Sequence, residues 1–384
     1  MTDNQVHMRK LGMEATYLAG CALHGAVPRC DGMDLEELYR FCKFHSITAI
    51  VTMALEERWK TEPAPAPEMK RWREARDKAI RKNILLNAER ERILGFMESI
   101  GCWYMPLKGS LLQFDYPKFG MRQMGDNDIL CDPEKTEEIY RFMVDSGYSC
   151  ELHNQGNHDE FIRQPVYNFE IHRALFKPET APELAAYYAD IHQRSIKDAG
   201  NSFGYHLSPE DFYIYLTAHA YRHFVVSGIG IRNLMDVYVF LTKYEDALNW
   251  DYIRQELEKV DAVDFEDWCR RISKLLFGDP NTEPEIAEAD LKVLDAFFAS
   301  GTFGTEAQLL RKAMEANTGK TGGRGGYFLR RMFPSQELLS VMYPVVKGRK
   351  WLVPFVWVYR LIKSLLRRPG RVLRELKSFF RKAG

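Results

Sequence analysis

Leu107-Lys108-Gly109-Ser110, followed sixteen residues after that serine by Asp126-Asn127-Asp128-Ile129-Leu130, decides how this chain is read. Two carboxylates stand at i and i+2, and apolar residues follow the second. On a strand, alternate side chains share a face, so Asp126 and Asp128 project together while Ile129 turns the other way. Acids held that close repel each other unless a cation lies between them. An oxygen-rich set of this kind suits Mg²⁺, with Mn²⁺ as the alternative, held by carboxylates and phosphate oxygens. The glycine and serine upstream let the backbone approach a phosphate closely. The stretch reads as a phosphate-handling, metal-dependent site, although Asp-Asn-Asp by itself is also a turn-like sequence.

Mixed structure is expected around this stretch. Trp103-Tyr104-Met105 is a short apolar strand ahead of the turn, and Leu111 to Asp115 opens a helix behind it. Asp126 to Cys131 is a second strand. Pro133 to Ser146 is a helix, with Asp132 as its cap and Gly147 past its end. Tyr148 to Leu152 and Tyr167 to His172 are further strands. Residues before this region have helical spacing. Asp31 or Asp34 caps a helix through Phe41, Ile47 to Trp59 continues the pattern, and prolines 63, 65 and 67 interrupt it. Lys70 to Ser99 is a long helix with Ile84, Leu85, Leu86, Ile93 and Leu94 on its apolar face. After the strands, Ser208-Pro209-Glu210-Asp211 is a strong helix start, with helices expected to about residue 315.

The motifs together resemble the nucleotidyltransferase superfamily, and more narrowly an uncharacterised nucleotidyltransferase family. That family has a Leu-Lys-Gly turn, a Tyr-Pro pair, an arginine and then Asp-x-Asp. The matching residues are Leu107-Lys108-Gly109, Tyr116-Pro117, Arg122 and Asp126-Asn127-Asp128. A later acid-x-His is matched by Glu170-Ile171-His172, a helical His-x-x-x-His by His219 and His223, and a following Arg and Asp by Arg232 and Asp236. The sequence departs from the family at Asn127, where an apolar residue is usual; a polar side chain on the core side of a strand needs a partner.

The resemblance implies an α+β fold, in which a small mixed-sheet nucleotidyltransferase palm is embedded between helical regions and a basic helical tail follows. The expected divisions are a helical region at 1–98, the palm at 99–205, a helical domain at 206–317 and the tail at 318–384. The implied activity is transfer of a nucleoside monophosphate from a nucleoside triphosphate to a hydroxyl acceptor. Two metal ions roughly 3.5–4 Å apart can clamp the attacking and leaving oxygens. Asp126, Asp128 and Glu170 would be the metal ligands and catalytic acids, with Glu170 helping to deprotonate the acceptor. Gly109 and Ser110 would cradle phosphates. Lys108 and Arg122 would offset their charge, and His172 would touch substrate. The alternative is a palm that has lost catalysis and serves as a nucleotide-binding or regulatory module at a membrane-surface assembly.

His219 and His223 share a helix face at i, i+4. The glutamate of a zinc protease is missing between them, so that chemistry is excluded, and the preferred reading is a polar face packed beside the palm. Arg232 and Asp236 have the spacing of a helix ion pair.

Net charge is zero, yet residues 320–384 carry sixteen Lys and Arg against two Glu, leaving 37 basic and 51 acidic residues elsewhere. An arm of that sign suggests its own partner. Its apolar run from Trp351 to Tyr359 is too short to span a membrane, which takes about 20 residues. Arg360 to Lys382 mixes apolar residues and cations in the manner of a surface-lying segment. An anionic membrane surface and the acidic remainder of the chain suit it equally, with nucleic acid behind both. Seven scattered cysteines without a CxxC pair fit neither a zinc motif nor a disulfide framework. Met1 to Lys10 has no apolar run of the kind a secretory leader carries. A cytoplasmic protein, free or peripheral to the inner face of the membrane, is expected.

Overall fold

The computed structural model describes residues 3–151, 153–302, 349 and 352–356. The chain divides into two units, Met1–Gln308 and Leu309–Gly384. The helical reading beyond residue 302 and almost all of the basic tail lie outside the described residues, as does Leu152. The sheet and the helices around it belong to the first unit.

Four helices come first: α1 (Asp3–His24), α2 (Leu35–Phe44), α3 (Thr48–Trp59) and α4 (Ala66–Ser99). Asp34 caps α2, its carboxylate accepting from the backbone N–H groups of Glu36 and Glu37 at 3.0 Å each. The proline run ends α3 and then starts α4, whose first turn holds Pro67. There proline costs nothing, because the missing N–H has no helical acceptor. On α4, Leu86, Ile93 and Leu94 are buried as expected, but Ile84 and Leu85 are 52% and 40% exposed. The buried stripe runs instead through Ala79, Asn83, Leu86, Arg90, Ile93 and Met97, at spacings of three and four.

The fold is α+β, with a small mixed sheet among helices. Its strands are β1 (Tyr104–Pro106), β2 (Asn127–Cys131), β3 (Ser149–Cys150), β4 (His158–Arg163) and β5 (Tyr167–His172). They lie in the order β1-β2-β5-β4-β3. Only β2 and β5 are parallel neighbours. A four-residue helix, α5 (Gly109–Leu112), follows β1, and α6 (Thr136–Asp145) follows β2. Asp132 accepts from the N–H of Glu134 at the entry to this segment, and Gly147 leaves it at φ 83°. Strand β4 was not expected from the sequence: His158, Asp159 and Glu160 open it, and its apolar residues are confined to Phe161 and Ile162.

Alternation along the strands sorts the sheet into two faces. Ile129, Cys131, Phe161, Phe169 and Ile171 join Leu86, Ile93 and Met97 of α4 and Ile139 and Met143 of α6 in one core. Asn127 points to this same side and is fully buried; its Oδ1 accepts from Arg90 Nη1 at 3.1 Å. The departure from an apolar residue is thus met by a partner from α4. Asp128, Glu170 and His172 occupy the opposite face.

That face looks toward helices from the second half of the unit. After α7 (Pro182–Tyr187), α8 (Ile191–Arg194) and the short pair β6 (Ile196–Lys197) and β7 (Tyr205–His206) come α9 (Pro209–Val226), α10 (Ile231–Tyr244), α11 (Trp250–Glu258), α12 (Val263–Phe277) and α13 (Glu288–Ser300). Ser208 caps α9 by accepting from the N–H of Asp211 at 3.1 Å. Leu130, Leu112, Tyr213, Leu216 and Phe240 pack α5, β2, α9 and α10 together. A separate helical core joins α1, α2, α3, α10, α12 and α13 through residues such as Leu18, Leu38, Ile50, Leu234, Ile272 and Phe298. Among the described residues no helix is long and apolar enough to cross a membrane.

His45, at the end of α2, is fully buried and shares a 3.0 Å hydrogen bond through Nε2 with the carbonyl of Phe298 on α13. Burial lowers its imidazole from the ordinary value to about 4. In the unfolded chain the imidazole titrates near 6.5, so between these values the unfolded state binds the extra proton and stability falls as pH drops. The loss accumulated from pH 7.5 to pH 4 is about 3 kcal/mol. Urea midpoints of wild type and His45→Gln at pH 7.5, 5.5 and 4.5 should converge toward acid pH; a constant gap would refute this.

Candidate functional site

The turn that carries Lys108 and the parallel pairing of β2 with β5 build the site. In the register of those two strands Asp128 stands beside Glu170, and His172 lies two residues further along β5 on the same face. The antiparallel register of β4 sets His158 directly against His172. Asp126 precedes β2 by one residue, so only the second aspartate is in the strand. All three acids line one cavity of about 430 Å³. Its walls also carry Lys108, Gly109, Arg122, His158 and His172, and, from the segments beyond the sheet, Lys177, His219, Arg222, His223, Arg232 and Asp236.

Charge on this face is concentrated and partly balanced. Asp128 accepts from Lys108 Nζ at 2.8 Å and lies 3.0 Å from His172 Nε2. Burial would raise its carboxyl, but Lys108 and His172 outweigh burial and hold it well below the usual range. Lys108 moves the other way: burial disfavours its charge, yet Asp128 raises it overall. His172 is raised too. Burial alone would lower it, and the bonds to Asp128 and to Glu170, at 3.3 Å, prevail. Asp126 is raised, first by burial and then by repulsion from Asp128 and, less strongly, from Glu170. The two acids are pulled apart by their surroundings, Asp128 by its cationic partners and Asp126 by burial beside another acid.

Lys108 reaches Asp128 from an unusual backbone, with φ 48° and ψ −119°. Such a conformation costs a non-glycine residue of order 1–3 kcal/mol. Gly109 next to it is required by space: a Cβ there would fall 2.1 Å from Arg122 Nη1. Ser110 is placed differently from expectation. It is buried, and both its hydroxyl, at 2.6 Å, and its N–H, at 3.3 Å, donate to the Leu107 carbonyl. The hydroxyl therefore closes the turn and does not line the cavity.

Arg122 also differs from a free phosphate-binding cation. Its Nε and Nη2 donate to the two oxygens of Asp236 at 2.8 Å each, and Tyr116 donates its hydroxyl to Asp236 Oδ1 at 2.7 Å. The sequence suggested Arg232 as the partner of Asp236 along the helix. The carboxylate instead receives Arg122 and Tyr116 from the segment between α5 and β2, while Arg232 donates from Nη1 to the Gln123 carbonyl at 3.1 Å. The family pattern's tyrosine, arginine and helical aspartate are therefore one buried cluster that ties this segment to α10.

His219 and His223 face the cavity from α9 with their Nε2 atoms 3.3 Å apart. Burial, together with the charge of Lys108, lowers His219 well below its ordinary value. They form a polar helix face beside the sheet, as their spacing suggested. Sequence reasoning missed His158, because β4 was missed, and it missed Lys177 and Arg222. Arg222 sits inside the His-x-x-x-His spacing, but an exposed-looking arginine on a helix carries no signal of its own.

A metal-suited carboxylate set and basic groups sharing one cavity, on a small mixed sheet with a Lys-Gly turn, define a phosphoryl-handling palm. A family model described as uncharacterised nucleotidyltransferase matches residues 31–278, and the chain belongs to that nucleotidyltransferase family. No curated protein and no solved structure matches it.

Removing one partner from a buried ion pair strands the other, at a cost of about 3–5 kcal/mol. Asp236→Ala should lower unfolding stability by that amount, read from urea denaturation followed by circular dichroism. A variant as stable as wild type would return Arg122 to the role of a cation reserved for ligand.

Proposed function

We propose that the protein is a divalent-metal-dependent nucleotidyltransferase that moves a nucleoside monophosphate from a nucleoside triphosphate to a hydroxyl acceptor. The observation that carries this reading is the β2–β5 register, which sets Asp128 beside Glu170 on the wall of the cavity that Asp126 also lines. Oxygen donors in this number, with burial and then repulsion from Asp128 keeping Asp126 raised, fit Mg²⁺ or Mn²⁺. A bound ion would supply Lewis acidity at the α-phosphate and neutralise the leaving pyrophosphate.

The residues of the chain do the remainder. Asp126, Asp128 and Glu170 hold the ions. Glu170, whose carboxylate is 22% exposed, reaches the cavity and takes the proton from the acceptor hydroxyl. The acceptor oxygen then bonds to the α-phosphorus, the bond from that phosphorus to the bridging oxygen breaks, and pyrophosphate leaves with that oxygen. Lys177 and Arg222, which have no ion-pair partner among the described residues, line the cavity and meet the triphosphate charge. Gly109 leaves its side-chain space to the Arg122 guanidinium, whose charge adds to the positive field of the cavity. His172 orients both Asp128 and Glu170. Mg²⁺ dependence, the nucleotide and the acceptor are parts of this proposal.

The non-catalytic reading drew on Asn127, whose side chain faces the α4 core and bonds to Arg90, away from the cavity. It also drew on the tail, which lies almost wholly outside the described residues.

The test is incubation of the purified protein with each α-³²P-labelled triphosphate, Mg²⁺ or Mn²⁺, and a cell extract as the source of acceptor. Label should pass to an extract component with pyrophosphate released. Asp126→Asn and Asp128→Asn should each lower the rate by roughly 10²–10³-fold, the usual scale for losing one charge-stabilising group. Full transfer by both variants would sink the assignment.

A further inference from the structure

The donor atoms around Glu170 are not all oxygens. His158 Nε2 lies 3.8 Å and His172 Nε2 3.3 Å from the same Glu170 oxygen. The two rings belong to opposed residues of β4 and β5, with centroids 4.8 Å apart and a mutual tilt of 42°. One ligand atom from each of the three residues falls within 4.8 Å of the others. The Nδ1 atoms of both rings are buried without a hydrogen-bond partner among the described residues, and the Nε2 atoms are the ones that face Glu170.

We propose that His158, Glu170 and His172 form a nitrogen-containing site for a first-row transition-metal ion, such as Zn²⁺ or Co²⁺, beside the all-oxygen position of Asp126 and Asp128. Metal–nitrogen and metal–oxygen bonds of about 2.0–2.2 Å place neighbouring donors roughly 3–3.5 Å apart. The separations from Glu170 differ from that by a few tenths of an ångström, within the reach of a side-chain rotation. Imidazole ligands favour zinc, iron, copper and nickel, whereas Mg²⁺ prefers carboxylate, carbonyl and water. Two imidazoles and one carboxylate therefore discriminate against Mg²⁺ in a way that three carboxylates do not. Asp128 Oδ1, 3.0 Å from His172 Nε2, lies next to the second position and links it to the first.

The second cluster of potential ligands, Cys150, His153 and Asp159, is a weaker candidate. There Arg173 Nη2 lies 2.6 Å from Asp159, and both ring nitrogens of His153 face carboxylates, Asp159 at 2.8 Å and Glu137 at 3.1 Å. Its one carboxylate already holds a cation in Arg173.

The proposal deepens the transferase reading, because the two share Glu170, but its test uses neither nucleotide nor turnover. The full chain, stripped with chelator, is titrated with CoCl₂ alone, following visible absorption for nitrogen ligation and calorimetry for affinity. One ion should bind, with visible bands, and a thousandfold excess of Mg²⁺ should not remove it. His158→Ala and His172→Ala should each weaken Co²⁺ binding by tenfold or more. Cys150→Ser and the double variant His219→Ala/His223→Ala should leave it unchanged. Melting curves identify any variant that fails to fold, and His158→Gln provides a second, smaller change at the half-buried ring. Co²⁺ affinity equal to wild type in folded His158→Ala or His158→Gln, loss of Co²⁺ to Mg²⁺, or dependence on Cys150 or the α9 histidines would overturn the site. Because no nucleotide is present, Co²⁺ bound as described by a protein that transfers no label would leave the metal site standing while the transferase reading fails.

Discussion

Three carboxylates around one cavity repel each other, and much of the local structure answers that constraint. Asp128 is the most deeply placed and needs the most compensation, so Lys108 and His172 both converge on it. Asp126, at the margin of the strand, holds its proton more tightly because it is buried and, next, because Asp128 is near. Glu170 sits where β5 brings it level with Asp128 and where two imidazoles approach its outer oxygen. Because backbone pairing fixes these relations, the arrangement is rigid in the sheet direction. It is adjustable only through side chains at the cavity wall.

A second layer of the design holds that wall still. Asp236 on α10 collects two bonds from Arg122 and one from Tyr116, and at position 109 only glycine leaves room for the guanidinium. A residue that looks like a ligand for phosphate in the sequence is thus mainly a strut between the turn and the helices. Buried paired arginines keep their charge, so Arg122 still adds to the positive field of the cavity without being free to leave its partner.

Much of this could be read from the chain alone, where a local rule had a local cause. Asp34, Asp132 and Ser208 cap helices because each places a short oxygen next to bare N–H groups. The proline run punctuated the helices where it stands, and the α+β architecture followed from the motif order. What escaped was decided by tertiary partners. Strand β4 opens with three polar residues whose role is to present His158 and Asp159, so no alternation of apolar residues announced it. Ile84 and Leu85 are apolar but fall off the stripe that meets the sheet. Arg122 and Arg232 carry the same charge near the same aspartate, and only the fold decides which forms the forked pair. Ser110 shows the limit of a motif: its position was legible, but the direction of its hydroxyl was set by the turn it closes.

The strained backbone of Lys108 has one more implication. An ammonium fixed on Asp128 by a tight turn is a tethered rival for any ion approaching that carboxylate. Its local abundance does not fall when the solution is diluted. The amine and His172 Nε2 both meet Oδ1, so a divalent ion bound through that oxygen would push the amine aside, toward arriving anionic groups. Binding of the cation and of its counter-anions would thereby be coupled through a single side chain.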